Sequence, residues 1–364
     1  MNLANMMFKT IGQKAMFSFD AETAHGLSIK ALKAGLVPPC PVAKDEMLSQ
    51  TIAGLTFENP IGLAAGYDKN AEVPDAILRL GFGFTEVGTL TPCAQEGNPK
   101  PRVFRLVSDK GIINRLGFNN EGHKAALERL EARKHHTGIV GVNIGANKDS
   151  EDFVADYGLG ISTFAHLADY FTVNISSPNT PGLRTLQTGE ALARLLDRVF
   201  ETREKAVRQP PVFLKLAPDL TMENVETISV VINGSPLSGV MISNTTLSRS
   251  GISASPNREE MGGLSGAPLF ERSTIMLARF RQHLNETIPL IGIGGISNAE
   301  TAFAKLEAGA SLVQLYSCMV FEGPAIASNI CKGLIKRMSD EGLTSLDQVT
   351  GRKTDEWATK PLSE

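Results

Sequence analysis

The sequence predicts one eight-stranded (β/α) barrel, a TIM-barrel α/β fold, carrying a helical extension at its amino end. Three observations predict it. Eight short apolar runs recur along the chain, and helix-length segments separate them. The eight units span about 270 residues, which suits a closed barrel better than an open sheet. The runs read IGLAAG (61–66), FTEVGTL (84–90), IVGVNIG (139–145), FTVNISS (171–177), VFLKLAP (212–218), GVMISNT (239–245), PLIGIGGI (289–296) and SLVQLYS (311–317). Their length and β-branched content suit strands buried on both faces.

Taken in order, residues 1–43 form the extension. A first segment places Leu3, Met6, Met7, Phe8, Ile11, Ala15, Met16 and Phe19 on one apolar face, with Lys9 and Lys14 toward the polar side. A second helix starts at an Asp20 cap, includes His25 and runs to Gly35. The linker Val37-Pro38-Pro39-Cys40-Pro41 follows, and then a small hairpin over 48–60 that would plug the barrel floor. The barrel occupies 44–340. Between its strands, 71–81 is helical up to Gly81, 189–207 is a longer amphipathic helix, and 298–310 starts at an Asn298 cap. The polar tail, 341–364, is expected to be loosely held.

Composition excludes several classes. The chain is 42% hydrophobic and 21% charged with a net charge of −3, so neither disorder nor nucleic-acid binding is indicated. Four scattered cysteines show no CxxC pair, against a disulfide framework or zinc site. No run approaches the roughly 18–20 apolar residues that span a bilayer. The first twenty residues lack a signal peptide's apolar core, which predicts a retained amino terminus. A dinucleotide fold, suggested by Gly292-Ile293-Gly294-Gly295, fails because the third glycine is misplaced and no acidic residue follows at the required distance.

Barrel active sites form at the carboxyl ends of the strands. Here those ends carry Gly66-Tyr67-Asp68-Lys69, Thr89, Asn143, Asn174, Ser176-Ser177-Pro178-Asn179, Lys215 and Ser243-Asn244-Thr245. Amides donate and accept at once, so a ring of them suits a planar ligand with alternating N–H and C=O groups. No acidic or histidine cluster joins them, which speaks against a metal site or a two-carboxylate hydrolase. Gly294-Gly295 and Tyr316-Ser317 follow the last two strands, the usual phosphate position of this fold. Phosphate there, with amides and a lysine deeper in, implies a nucleotide-like cofactor such as FMN.

With these residues assembled, the sequence resembles the dihydroorotate dehydrogenases of the membrane-associated, quinone-reducing class. The motifs are AAGYDKN (64–70), GFGFTEVGTLTP (81–92), GNPKPRVFRL (97–106), INRLGFNN (113–120), NISSPNTPGLRTLQ (174–187), NTTLSR (244–249), GGLSGAPL (262–269) and GASLVQLYS (309–317). The resemblance implies oxidation of dihydroorotate to orotate in pyrimidine biosynthesis, with FMN as hydride acceptor and a membrane quinone as terminal acceptor. FMN would be held by Ala65, Gly66, Tyr67, Asp68, Lys69, Thr89, Asn143, Asn174, Lys215, Ser243, Gly266, Gly295, Tyr316 and Ser317. Dihydroorotate would be held by Lys69, Asn114, Arg115, Leu116, Gly117, Phe118, Asn174, Asn179, Asn244 and Thr245. Ser177 would be the general base, where the soluble relatives use a cysteine. A free serine is a poor base, which implies a water or hydroxyl relay in a closed site.

Periodicity alone leaves the extension open between a lid on the barrel and a membrane-surface helical pair. The resemblance selects the second, with peripheral attachment at the cytoplasmic side of the cell membrane and His25 near the quinone. Two departures from the family pattern stand out. Ser243 replaces an expected threonine and keeps its hydroxyl; Tyr67 is larger than the expected leucine or phenylalanine and alters packing near the flavin.

Overall fold

The computed structural model describes residues 13–42, 44–133, 137–180, 182–253 and 256–362. The apolar face expected over Leu3–Ile11 therefore lies outside the described residues, together with Lys9.

All eight predicted strands form. They are β1 (Ile61–Asp68), β2 (Phe84–Leu90), β3 (Ile139–Ile144), β4 (Tyr170–Asn174), β5 (Val212–Leu216), β6 (Gly239–Ile242), β7 (Leu290–Ile293) and β8 (Leu312–Leu315). Each pairs in parallel with its sequence neighbours, and β8 closes on β1 through Val313 opposite Ile61. Short connections between parallel strands cannot reverse the chain, so a helix or longer segment crosses over each time. The interior is packed. Phe84, Tyr170, Phe213, Met241, Ile291 and Leu312 fill its lower half. Glycines on adjacent strands make room for the aromatics: a Cβ at Gly62 would stand 2.4 Å from Phe84, and one at Gly141 would stand 2.1 Å from Tyr170.

The predicted hairpin pairs Gln50–Ile52 with Leu55–Phe57. Phe57, 1% exposed, stacks edge-on against Phe84 with ring centroids 5.0 Å apart and closes the barrel floor. Above the opposite end stands a three-stranded antiparallel sheet, Val103–Leu106, Gly111–Asn114 and Gly263–Gly266, which the sequence reading did not foresee. Its third strand joins the others across about 150 residues of chain, and no local pattern announces such a pairing.

The extension contains two helices, α1 (Gln13–Phe17) and α2 (Ala21–Lys33). The Asp20 carboxylate accepts from the N–H groups of Glu22 and Thr23, and Gly35 at φ +70° ends the second helix, both as expected. Asn298 likewise caps its helix, here Ala299–Glu307. The tail is not loose. Leu346 and Val349 are fully buried, Arg352 reaches Glu307 at 2.7 Å, and Trp357 packs edge-on against Phe270. Its few apolar residues are spaced so that all of them turn inward.

Candidate active site

At the carboxyl end of the barrel a cavity of 340 Å³ opens beneath α1 and α2. That volume falls within the range of small-molecule sites. Its polar wall is built from the strand ends outward, starting at a buried charge. Glu86, fully buried on β2, accepts from Asn143 Nδ2 at 2.8 Å, Gln314 Nε2 at 2.7 Å and the Tyr170 hydroxyl at 3.3 Å. An ionised carboxylate only accepts, so it fixes the Asn143 amide with its NH2 inward. Asn143 Oδ1 must then accept, and the Thr89 hydroxyl donates to it at 2.6 Å. Thr89 Oγ1 in turn accepts from Asn174 Nδ2 at 2.9 Å. Asn174 Oδ1 accepts from the Ser176 hydroxyl at 2.8 Å, and Ser176 Oγ accepts from Asn244 Nδ2 at 2.9 Å. Five directed bonds thus set the amides of β3, β4 and β6 from one anion.

Lys215 enters the same wall from β5. It is 5% exposed, and no hydrogen bond to its amine forms among the described residues. Burial lowers its pKa, and Glu86 opposes that by holding the charge. Ser177 lies in the loop after β4, 5% exposed, with its Oγ accepting the Asn179 N–H at 3.2 Å. Thr180, in the same loop, keeps a buried hydroxyl with no partner among the described residues. Asn179 Nδ2 donates to the Asn114 carbonyl at 3.2 Å, tying this loop to the antiparallel sheet.

The far wall is backbone. Gly66 (φ +99°), Gly266 (φ +89°), Gly294 (φ +108°) and Gly295 (φ +75°) line it with Tyr316 and Ser317. A Cβ on Gly266 would stand 2.3 Å from the Lys110 carbonyl, so no larger residue fits there. The Ser317 hydroxyl meets that of Ser265 at 2.7 Å. A buried, unsatisfied lysine beside an ordered amide set, facing a glycine cradle, fits a flat heteroaromatic group with an anionic tail.

The helical cap forms the remaining wall. His25 on α2 approaches Lys69 Nζ at 3.3 Å through Nε2 and the Tyr316 hydroxyl at 3.2 Å through Nδ1. Burial first and then the Lys69 charge push the His25 pKa well below its ordinary value, so the ring is neutral. Lys69 itself is pushed down to about 8, chiefly by burial. Tyr67 stacks edge-on against both His25 and Tyr316 and donates to Ser28 Oγ at 3.0 Å. Around this polar knot, Phe17, Ala21, Ala24, Ala31 and Leu32 make an apolar passage.

Most predicted site residues line this one cavity: Ala65, Gly66, Tyr67, Lys69, Thr89, Asn114, Leu116, Gly117, Phe118, Asn174, Ser177, Asn179, Lys215, Ser243, Asn244, Thr245, Gly266, Gly295, Tyr316 and Ser317. Three stand off it. The Asp68 carboxylate turns away to accept the Glu72 and Val73 N–H groups, both at 2.8 Å. Asn143 stands one hydrogen bond behind Thr89. Arg115 points outward, donating to Glu260 Oε2 at 2.7 Å and stacking on Phe104. Sequence reasoning missed Glu86 and Ser265. Glu86 had a signal, since a charge inside a strand buried on both faces must be paired. Ser265 had none.

The chain matches the family model for dihydroorotate dehydrogenase over residues 47–338. It is 58% identical to a Brucella melitensis protein named dihydroorotate dehydrogenase (quinone), over 98% of this chain and 99% of that one. A Brucella ovis protein of the same name matches equally. Among solved structures, the ferulenol complex of the Eimeria tenella enzyme superposes with a TM-score of 0.88 at 37% identity. That match covers 92% of this chain and 96% of the other. The chain belongs to the dihydroorotate dehydrogenase family.

Proposed function

We propose that this dihydroorotate dehydrogenase binds FMN in the cavity at its barrel mouth, with Ser177 as general base and the helical cap as the quinone entrance. The enzyme oxidises (S)-dihydroorotate to orotate in pyrimidine biosynthesis and uses quinone as electron acceptor. The observation that carries the assignment of parts is the single cavity, walled by directed amides on one side and by an apolar helical pair on the other.

Bound there, FMN supplies the acceptor for the hydride leaving C6 of dihydroorotate and the carrier of its electrons to quinone. The chain does the rest. Ser177 takes the proton from C5 at its Oγ, which the Asn179 N–H already supports as a hydrogen-bond acceptor. The unpartnered Thr180 hydroxyl in the same loop is a group able to pass that proton on. Asn174, Asn179 and Asn244 present donors and acceptors to the alternating edge of the pyrimidine, and Lys69 offers its charge to the carboxylate. Lys215, on the amide wall, would set its positive charge against the N1–C2=O side of the flavin ring, where reduction leaves negative charge. The buried wall leaves little room for water.

No helix among the described residues is long and apolar enough to cross a membrane. Phe19 and Leu36, 46% and 68% exposed, lie beside α2, and such residues suit shallow insertion in a bilayer surface. We place the enzyme peripherally on the cytoplasmic side of the cell membrane. The test of the whole scheme is anaerobic mixing with dihydroorotate while flavin absorbance is followed, and then addition of a soluble quinone. Bleaching followed by recovery is expected. A yellow protein that never bleaches overturns the site assignment, and one that bleaches but ignores quinone overturns the role of the cap.

A further inference from the structure

Lys305 lies on the helix Ala299–Glu307, away from the cavity wall, and is fully buried. Among the described residues it has no carboxylate partner. Its Nζ donates to Ser273 Oγ at 2.6 Å and stands 5.5 Å from the centre of the Phe270 ring. Ser273 belongs to the first turn of the helix Phe270–His283, the positive end of the helix dipole, where a cation is disfavoured. A buried ammonium whose polar company among the described residues is one hydroxyl and one ring face, at the wrong end of a helix, is a poor structural element. Burial accordingly pushes its pKa well below the ordinary lysine value. An apolar side chain of the same length would pack more favourably there.

The two residues Lys305 touches are those on which the glycine loop rests. A Cβ on Gly294 would stand 2.9 Å from Ser273 Oγ, and one on Gly295 would stand 2.3 Å from Phe270 Cβ. Ser273 Oγ also lies 3.3 Å from the Gly294 carbonyl. An anion seated on Gly294–Gly295 would supply the charge that Lys305 lacks.

We propose that Lys305 is a positioning residue for the flavin phosphate: a buried counter-charge behind the Gly294–Gly295 loop, acting through Ser273 and Phe270. This rests on the FMN reading above. The selectivity it confers is for the phosphorylated flavin over the same ring system without phosphate.

The test compares FMN and riboflavin on the holoenzyme. FMN release on dilution is read by flavin fluorescence, and riboflavin affinity by exchange of the bound flavin. Wild type should hold FMN far more tightly than riboflavin. Lys305→Met should weaken FMN by about tenfold or more while riboflavin affinity stays within about twofold. Equal losses for both flavins, or no loss, overturn the inference, since a packing role makes no distinction by phosphate. A wild type that does not prefer FMN overturns the FMN reading itself, and the inference with it. Should Lys305→Met fail to fold, Ser273→Ala decides. An FMN-selective loss of a few fold supports the inference, and an unchanged ratio overturns it.

Discussion

Asn174, at the end of β4, and His25, on α2, line one cavity from different walls. Asn174 is locked: it donates to Thr89, accepts from Ser176, and sits three bonds from a buried carboxylate that dictates which way its amide faces. His25 makes two long polar contacts, to Lys69 and Tyr316, and an edge-on contact with Tyr67, on a helix held by a few polar bonds and by the buried Ala24, Ile29 and Leu32. The polar bonds of α2 include Glu22 with Arg102 at 2.7 Å, Lys33 with Glu72 at 3.2 Å and Ser28 with the Tyr67 hydroxyl at 3.0 Å; α1 and the turn after it are held by Arg105 on the Phe19 and Met16 carbonyls and by Gln13 on the Val320 carbonyl. The difference matches the two tasks proposed for these walls. Proton and hydride removal from a pyrimidine rewards donors and acceptors fixed beforehand, because no reorganisation is then needed during reaction. Admission of a long apolar acceptor rewards a wall that is greasy and loosely tied.

The comparison breaks first at Ser177. Ser177→Ala should keep FMN bound while bleaching by dihydroorotate slows on the order of 10²–10⁴-fold. Unchanged rates in stopped flow would remove Ser177 as the base and, with it, the claim that the rigid wall serves chemistry.

Glu86→Gln tests the rigidity itself. A glutamine brings an N–H into a point where three donors converge, so the fold should lose about 1.5–3 kcal/mol, read as a lower unfolding midpoint. Orotate affinity should fall with it, because the amide directions are no longer enforced. A variant as stable as wild type would mean that the amides are set from elsewhere.

Ala21→Trp addresses the other wall. The larger ring fills the apolar passage under α2, and recovery of flavin absorbance by quinone should slow by about tenfold, equivalent to about 1.4 kcal/mol. Bleaching by dihydroorotate should not change. Equal slowing of both phases would show that the two walls are not separable.

The smallest effect lies where the walls meet, at Lys69. Burial brings its pKa down to about 8, so the free site carries the charge below that pH and loses it above. On the proposed role of Lys69, orotate binding needs the ammonium. Its affinity should therefore be level below about pH 7 and fall about fivefold between pH 8 and 9. A titration flat through pH 9 would take Lys69 out of carboxylate recognition.

The eight strands, the Asp20 and Asn298 caps and the floor hairpin were legible in the sequence, and most of the residues the family resemblance assigns to the site do line the cavity. Apolar runs, caps and turns are local patterns, and a barrel places every strand end at the same mouth. Side-chain direction is a different matter. Only the tertiary structure turned Arg115 outward onto Glu260 and Asp68 onto two backbone amides. It also brought Ser265 to Ser317 and packed the polar tail against Phe270. Apart from Asp68, whose amide partners are local, these rest on partners 145, 52 and 87 positions away. Residue type and spacing limit what a group can bind, but its partner is chosen by register and packing between distant segments, and those are settled only when the whole chain is folded.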